Sequence, residues 1–307
     1  MRSSQRAAQQ QYKSLQKALA QQAKEQEREH AKLQAQAYES RIEVLRSVHA
    51  DCSTPVDWSQ LMWASPPPEP VLDDSRVRAA QAELGAYQPG FIERTFGGAK
   101  TKRAQLEAVV AGEESLARER HANAMARWEQ AVALLRWQQR VGGGVLSGDV
   151  EAYRAVIEYW DVFDELEELG SAVEVASLSS REAEIDLYVN DDEVIPSQVY
   201  SLLASGKLSI KSMPVGQRNL LYQDYVCGSA LRIARELFAV LSIQRVLVHV
   251  VADLLDTSTG QVEAQPVLSI VFPRETFARL NFSALDASDA MKHFLHRMKV
   301  RPRRRPS

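Results

Sequence analysis

Apolar residues are densest between Pro214 and Phe272, and their spacing predicts a buried helix followed by two central strands. Residues 214–241 carry apolar side chains around most of the helical circumference, which is typical of a buried helix. Residues 245–252 and 267–272 are β-branched runs that are apolar on both faces, as strands at the centre of a sheet are. A polar turn at residues 256–260 separates these two strands, so the stretch predicts a helix and a hairpin that share one core.

Shorter patterns on both sides of this core complete a predicted C-terminal domain over residues 145–300. Residues 173–175 and 183–189 alternate apolar and polar side chains, and residues 179–182 fit a hairpin turn between them. After the core, Asp286 or Ser288 can cap a last helix that carries apolar residues as far as Met298. The order ββαββα predicts an α+β fold in which helices cover one antiparallel sheet.

The N-terminal half is predicted to consist of long, coiled-coil-like helices. Residues 1–50 are rich in strong helix formers. One seam is marked by Tyr12, Leu15 and Leu19 and a second by Leu33, Ile42, Leu45 and Val48, and between them the seam positions are held by Gln22, Gln26 and His30. Residues 74–141 form the second helical region, whose long helix runs from about Lys100 to Arg140. Because neither stripe is stable alone, we expect the helices to pair as an antiparallel hairpin within one chain or between the chains of a homodimer. For residues 1–30, a charged and partly disordered arm is the alternative.

Proline, tryptophan and glycine mark the predicted boundaries of these regions. Residues 51–73 read as a linker rich in Trp and Pro, and residues 142–144 are three consecutive glycines that predict a hinge before the C-terminal domain. Residues 301–307 form a basic tail.

Charge is unevenly distributed along the chain. Residues 149–193 carry 15 acidic and 2 basic side chains, whereas residues 292–305 carry 7 basic and no acidic ones. Cations on the C-terminus could bind nucleic-acid phosphates, although no aromatic residues alternate with them for base stacking. These predicted contacts are Lys299, Arg301, Arg303, Arg304 and Arg305.

Motifs for catalysis, metal binding and secretion are missing from the sequence. Cys52 and Cys227 predict neither a disulfide framework nor a zinc site, and no G-x-S-x-G or phosphate-binding loop occurs. Acidic residues near Glu184, the histidines at 293 and 296, and His249 are interpreted as a solvated sheet face, an exposed helix face and a sheet histidine. We therefore predict no catalytic residue, metal or cofactor, and the enzyme question stays open but leans to no. With no signal peptide and no apolar run of membrane-spanning length, we expect a cytoplasmic protein.

Four stretches, at residues 49–58, 147–153, 221–227 and 285–291, resemble an uncharacterised bacterial family. That family combines a coiled-coil N-terminal half with a small C-terminal α/β domain, so the resemblance covers most of the chain. It implies a bacterial module and transfers no activity or functional residue.

These observations favour a non-enzymatic protein-interaction module, a scaffold or adaptor that binds a second copy or a partner protein through its N-terminal helices. The first alternative is a nucleic-acid-associated factor of a stress or phage-defence system that uses the basic C-terminus. The second alternative is a hydrolase whose site is assembled from residues distant in sequence. The predicted interaction residues are Leu106, Leu116, Trp128, Leu135, Trp58 and Trp63.

Overall fold

A computed structural model describes residues 2–91, 98–189, 194–256 and 258–299, with the backbone alone for residues 2–14 and 165. The chain divides into two compact units, of which one joins Met1–Val56 to Gly144–Ser307 and the other is Asp57–Gly143. We call the first the sheet unit and the second the helical unit.

The described helices and strands are as follows. The helices are α1 (Arg2–Ser47), α2 (Trp58–Met62), α3 (Ser75–Ala86), α4 (Ala99–Ser147), α5 (Val150–Trp160), α6 (Asp164–Glu168), α7 (Val215–Val240), α8 (Arg274–Phe277) and α9 (Ala287–Ala290), with a 3₁₀ turn at Met291–His293. The strands are β1 (Ser171–Leu178), β2 (Glu182–Val189), β3 (Gln198–Leu202), β4 (Leu208–Ser212), β5 (Arg245–Leu255), β6 (Val262–Pro273) and β7 (Leu295–Met298).

The sheet unit contains a five-stranded sheet in the order β1-β2-β5-β6-β7, and β3 and β4 form a separate hairpin. Long N-terminal helices followed by this domain confirm the predicted α+β class. The sheet differs from the expected antiparallel one because β2 and β5 run parallel, while its other pairs are antiparallel. Helix α7 and the β3–β4 hairpin carry the chain from β2 to β5, and a long crossover of this kind allows parallel pairing.

Helix α7 lies at the centre of the sheet unit, as its apolar circumference predicts. Fifteen of its 26 residues are buried, and it packs on β5 and β6. The sheet meets it with Val248, Val250, Ile270 and Phe272, all 2% exposed or less. The opposite face of β5 was expected to be buried too, but Leu247, His249 and Val251 are only half-buried there. The core therefore lies on one side of the sheet.

The predicted last helix is wrong beyond residue 293. Asp286 does cap α9 by accepting a hydrogen bond from the Asp289 N–H at 2.9 Å. However, the chain then forms the 3₁₀ turn and strand β7, whose residues pair antiparallel with β6. The edge of β6 offers backbone hydrogen bonds to residues 295–298, and this pairing overrides their helical spacing. The histidines at 293 and 296 consequently do not share a helix face.

In the helical unit, the segment from α2 through the prolines to α3 runs antiparallel along α4. Gln139 donates to the Ala64 carbonyl at 2.8 Å, and Trp128 donates to the Pro67 carbonyl at 2.8 Å. Further along, Gln81 donates to Glu114 at 3.4 Å. Gly142 lets α2 approach α4 closely, since a Cβ there would lie 3.3 Å from both Trp58 and Met62. This segment, which we call the strap (residues 58–86), therefore covers one side of α4.

Candidate functional site

Helix α1 carries apolar residues on two opposite faces. At about 100° per residue, its buried or half-buried apolar positions lie roughly 120–200° around the helix from Leu15. These inner positions are Ala31, Ala35, Tyr38, Ile42 and Leu45, and this face packs on α7 and the β3–β4 hairpin. The outer apolar positions fall within about 40° of Leu15 and remain exposed. They are Leu15 (58% exposed), Leu19 (57%), Leu33 (62%) and Val44 (45%).

Exposure distinguishes the first half of α1 from the second. Every residue from 15 to 30 is exposed, whereas burial begins at Ala31. At 1.5 Å per residue, this exposed stretch is roughly 24 Å long. The outer apolar residues thus form a stripe, which we call the outer stripe (Leu15, Leu19, Leu33 and Val44), along a helix whose buried positions begin at Ala31.

The end of α1 is fixed by charged side chains of α7. Arg235 donates to the carbonyls of Ala50 at 2.6 Å and His49 at 3.1 Å. Glu236 accepts hydrogen bonds from the Ser53 N–H at 3.2 and 3.3 Å and pairs with Arg232 at 2.7 Å. Because these side chains bind backbone groups of residues 49–53, they hold the chain where it leaves α1.

The ion pair of Arg232 and Glu236 is the most deeply buried charge in the described residues. The two residues are 6% and 2% exposed. A cavity of about 170 Å³ adjoins them, and it is also lined by Ser53, Trp160, Asp161 and Asp164. A paired buried charge is costly to disturb, since removing one partner leaves the other without compensation. The sequence did contain a signal for this pair, namely two charges four residues apart inside a predicted buried helix.

The titratable groups around this anchor are held in neutral forms. Burial, reinforced by Glu236, raises the pKa of the Cys52 thiol to about 11, and burial raises the pKa of Cys227 to about 12. Burial also lowers the pKa of His49, against a hydrogen bond to Leu285 that favours its charged form. Since nucleophilic cysteines act as thiolates, neither thiol is prepared for nucleophilic catalysis.

The uncovered face of the sheet carries a hydroxyl–imidazole–carboxylate array. His249 on β5 contacts Ser269 on β6 at 2.9 Å through Nδ1 and Glu184 on β2 at 3.1 Å through Nε2. Sequence reasoning missed this array because its members lie on three strands that are far apart along the chain. A hydrolase would also need an oxyanion site and a substrate pocket, but none of the three residues lines either cavity described for this unit. The array fits a solvated polar ladder between neighbouring strands.

A shallow groove of about 520 Å³ lies between α1 and β3. The rings of Tyr38 and Tyr200 stack beside it with their centroids 5.6 Å apart, and Arg41 donates to the Val194 carbonyl at 3.0 Å. The Tyr38 hydroxyl is buried without a hydrogen-bond partner among the described residues, and burial raises the pKa of this group. The described residues that line the groove include no carboxylate, imidazole or thiol, so it offers no acid–base pair. Across the described chain, no group of three His, Cys, Asp or Glu residues could hold a metal ion.

The predicted interaction residues of the helical unit differ in exposure. Leu106 is 8% and Trp58 4% exposed, and Trp128 and Leu135 are half-buried. Leu116 and Trp63 are 49% and 87% exposed. The strap therefore brings most of these residues into the packing of their own unit, and only the last two lie open on its surface. Their role as binding residues stays a prediction.

Of the predicted nucleic-acid contacts, only Lys299 lies within the described residues. It is exposed, and its N–H donates to the Val267 carbonyl at 2.7 Å, next to the last strand of the sheet. Arg301, Arg303, Arg304 and Arg305 lie outside the described residues. The second histidine of the pair at 293 and 296 lies in β7, where its Nδ1 contacts the Phe294 carbonyl at 3.0 Å.

Comparisons with known proteins add no functional information. No family model matches the chain, and no significant match was found among curated proteins or solved structures. Among the described helices, none combines the length and the apolar character that crossing a membrane requires.

Proposed function

We propose that the protein is a non-enzymatic interaction module whose binding element is the outer stripe of α1. The observation that carries this proposal is the exposure of four large apolar residues along one face of an anchored helix. A scaffold or adaptor role follows from it, because such a helix presents a row of exposed apolar residues that a partner can bind.

Helix energetics support a partner for this stripe. A single helix gains most of its stability from packing an apolar face, and no residue from 15 to 30 in α1 is buried. Grooves and helix partners recognise apolar anchors spaced by three or four residues, which is the spacing of Leu15 and Leu19. The chemistry of the two cavities and the sheet face, described above, gives weaker support to catalysis.

The experiment places one lysine on the stripe or beside it. Leu15→Lys adds a charge to the outer stripe, whereas Gln21→Lys adds the same charge six residues away, about 240° around the helix. Both positions are exposed, so neither variant should change the free energy of unfolding by more than about 0.5 kcal/mol. Sedimentation velocity over a wide concentration range and co-purification with a tagged chain measure association.

We expect Leu15→Lys to remove the association of the wild-type chain and Gln21→Lys to keep it. An association that survives both substitutions would show that the outer stripe is not the binding element. Loss of association in both variants would also count against the proposal, because the effect would then follow from charge rather than from position.

A further inference from the structure

We infer that the partner of the outer stripe is the α1 helix of a second copy of this chain, paired antiparallel with residue 24 near the centre. This inference rests on the proposed function and specifies the occupant of the same surface. Two observations carry it, the position of the apolar residues along the stripe and the distribution of charge along α1.

Leu15 and Leu33, two of the four apolar residues of the stripe, match one another in this register. They are eighteen residues apart, which is five turns at about 3.6 residues per turn, so they lie on the same line of the helix. In an antiparallel pair centred on residue 24, Leu15 of each copy lies opposite Leu33 of the other, whereas Leu19 lies opposite Glu29. The two leucine layers therefore lie roughly 14 Å on either side of the centre.

The centre of the overlap is polar. Gln22 of one copy lies opposite Gln26 of the other in this register, and both are exposed on the line of the outer stripe. Their amides can donate to and accept from each other across the pair. A polar layer within an apolar seam costs stability but fixes the register, because a shifted pair would bury the amides against leucine.

Charge along α1 favours the antiparallel direction. Residues 2–24 contain five basic and no acidic side chains, whereas residues 25–43 contain five acidic and three basic ones. An antiparallel pair centred on residue 24 places the basic half of each helix beside the acidic half of the other. A parallel pair would place like charges at the same level, which destabilises helix pairs. An antiparallel pair centred between Leu15 and Leu19 would bring the two basic halves together.

Cysteine cross-linking distinguishes these arrangements. In the inferred pair, Leu15→Cys and Leu33→Cys form a disulfide only when the two variants are mixed, because identical positions lie roughly 27 Å apart along the axis. The matched control mixes Gln21→Cys with Glu27→Cys. These two positions are at the same level in the inferred pair, but both point about 120° away from the stripe. Wild-type protein controls for Cys52 and Cys227, whose pKa values of about 11 and 12 keep both thiols protonated at neutral pH.

We expect dimer bands in the mixture of the two stripe variants and none in either variant alone or in the control mixture. Sedimentation at rising salt gives an independent readout, since screening should weaken an antiparallel pair and strengthen a parallel one. Cross-linking of Leu15→Cys with itself would overturn the antiparallel pairing.

The two proposals can fail separately. If association depends on Leu15 but the stripe mixture gives no disulfide, the self-pairing is wrong and the interaction function stands. If Leu15→Lys leaves every association unchanged, the proposed function is wrong as well.

Discussion

Helices α1 and α4 are nearly equal in length, at 46 and 49 residues, but they differ in how their apolar stripes are covered. The stripe of α4 meets the strap of its own unit, through contacts such as that of Trp128 with Pro67. The inner face of α1 is covered by α7 and the β3–β4 hairpin, whereas its outer stripe remains exposed. These two long helices thus differ in how much of their apolar surface the rest of the chain covers.

This difference shows that an apolar stripe in a long helix does not by itself indicate a binding surface. The residues that decide the matter lie elsewhere in the sequence, in the Trp- and Pro-rich segment that covers α4. A proline run that reads as a linker can pack as an extended chain, because proline has no backbone N–H that must find an acceptor and its φ is restricted. The outer stripe of α1 has no such cover among the described residues, which makes it the better candidate surface.

The largest expected loss of stability concerns the ion pair of Arg232 and Glu236, which holds the chain where it leaves α1. Glu236→Ala should lower the free energy of unfolding by about 3–5 kcal/mol, because Arg232 would remain buried without its counter-charge. Urea unfolding followed by circular dichroism measures the change. Glu182→Ala removes the partner of Arg245 from an ion pair on the sheet surface and should cost less than about 1 kcal/mol. Equal losses in the two variants would mean that the buried pair does not anchor α1.

An intermediate loss of stability is expected where Val48 packs against Gly228 of α7. A Cβ at Gly228 would lie 2.7 Å from Val48 Cγ1, so Gly228→Ala should cost about 1–3 kcal/mol through overpacking. Gly216→Ala on the same helix meets nothing within 4 Å, and we expect it to be neutral or slightly stabilising. Thermal unfolding of both variants tests this point. A Gly228→Ala protein as stable as the Gly216→Ala protein would show that α1 is free to shift on α7.

The smallest loss of stability is expected for a change at the contact between the strap and α4. Trp128→Phe keeps an aromatic ring but removes the indole N–H that donates to the Pro67 carbonyl. Loss of this hydrogen bond should lower the free energy of unfolding by about 0.5–1.5 kcal/mol. Trp63→Phe makes the same chemical change at an 87% exposed position and should leave the stability unchanged. Urea unfolding monitored by circular dichroism compares the free energies of unfolding of the two variants. If neither variant is destabilised, the strap does not depend on this contact.

Much of the sheet unit could be predicted from the sequence. The apolar circumference of α7 and the β-branched strands after it are strong local signals, and Asp286 caps a helix as expected. The failure at β7 has a physical reason. Residues 295–298 are compatible with a helix or a strand, and the choice between them depends on the open edge of β6, which no local pattern reveals.

The candidate surface was only partly predictable for a similar reason. Leu15 and Leu19 were recognised as one seam and Leu33 as part of a second seam with Ile42 and Leu45. The structure places Leu33 on the exposed face of α1 and Leu45 on the buried one, because burial depends on which face the rest of the sheet unit covers. The array at His249 and the hydrogen bond from the Ser53 N–H to Glu236 of α7 join positions far apart in sequence. Spacing along the chain predicts which residues share a helix face, and it does not predict which face the rest of the protein covers.

The discontinuity of the sheet unit affects how the protein folds during synthesis. The contact between Ser53 and Glu236 spans 183 residues, so at a translation rate of about 5–20 residues per second roughly 10–40 s separate the two partners. Throughout that interval α1 has been made but α7 has not, so the inner face of α1 lacks α7 and its outer stripe is exposed as well. The helical unit, Asp57–Gly143, is complete earlier. We therefore expect it to fold first, while the nascent N-terminal helix waits for its docking site or for chaperone protection.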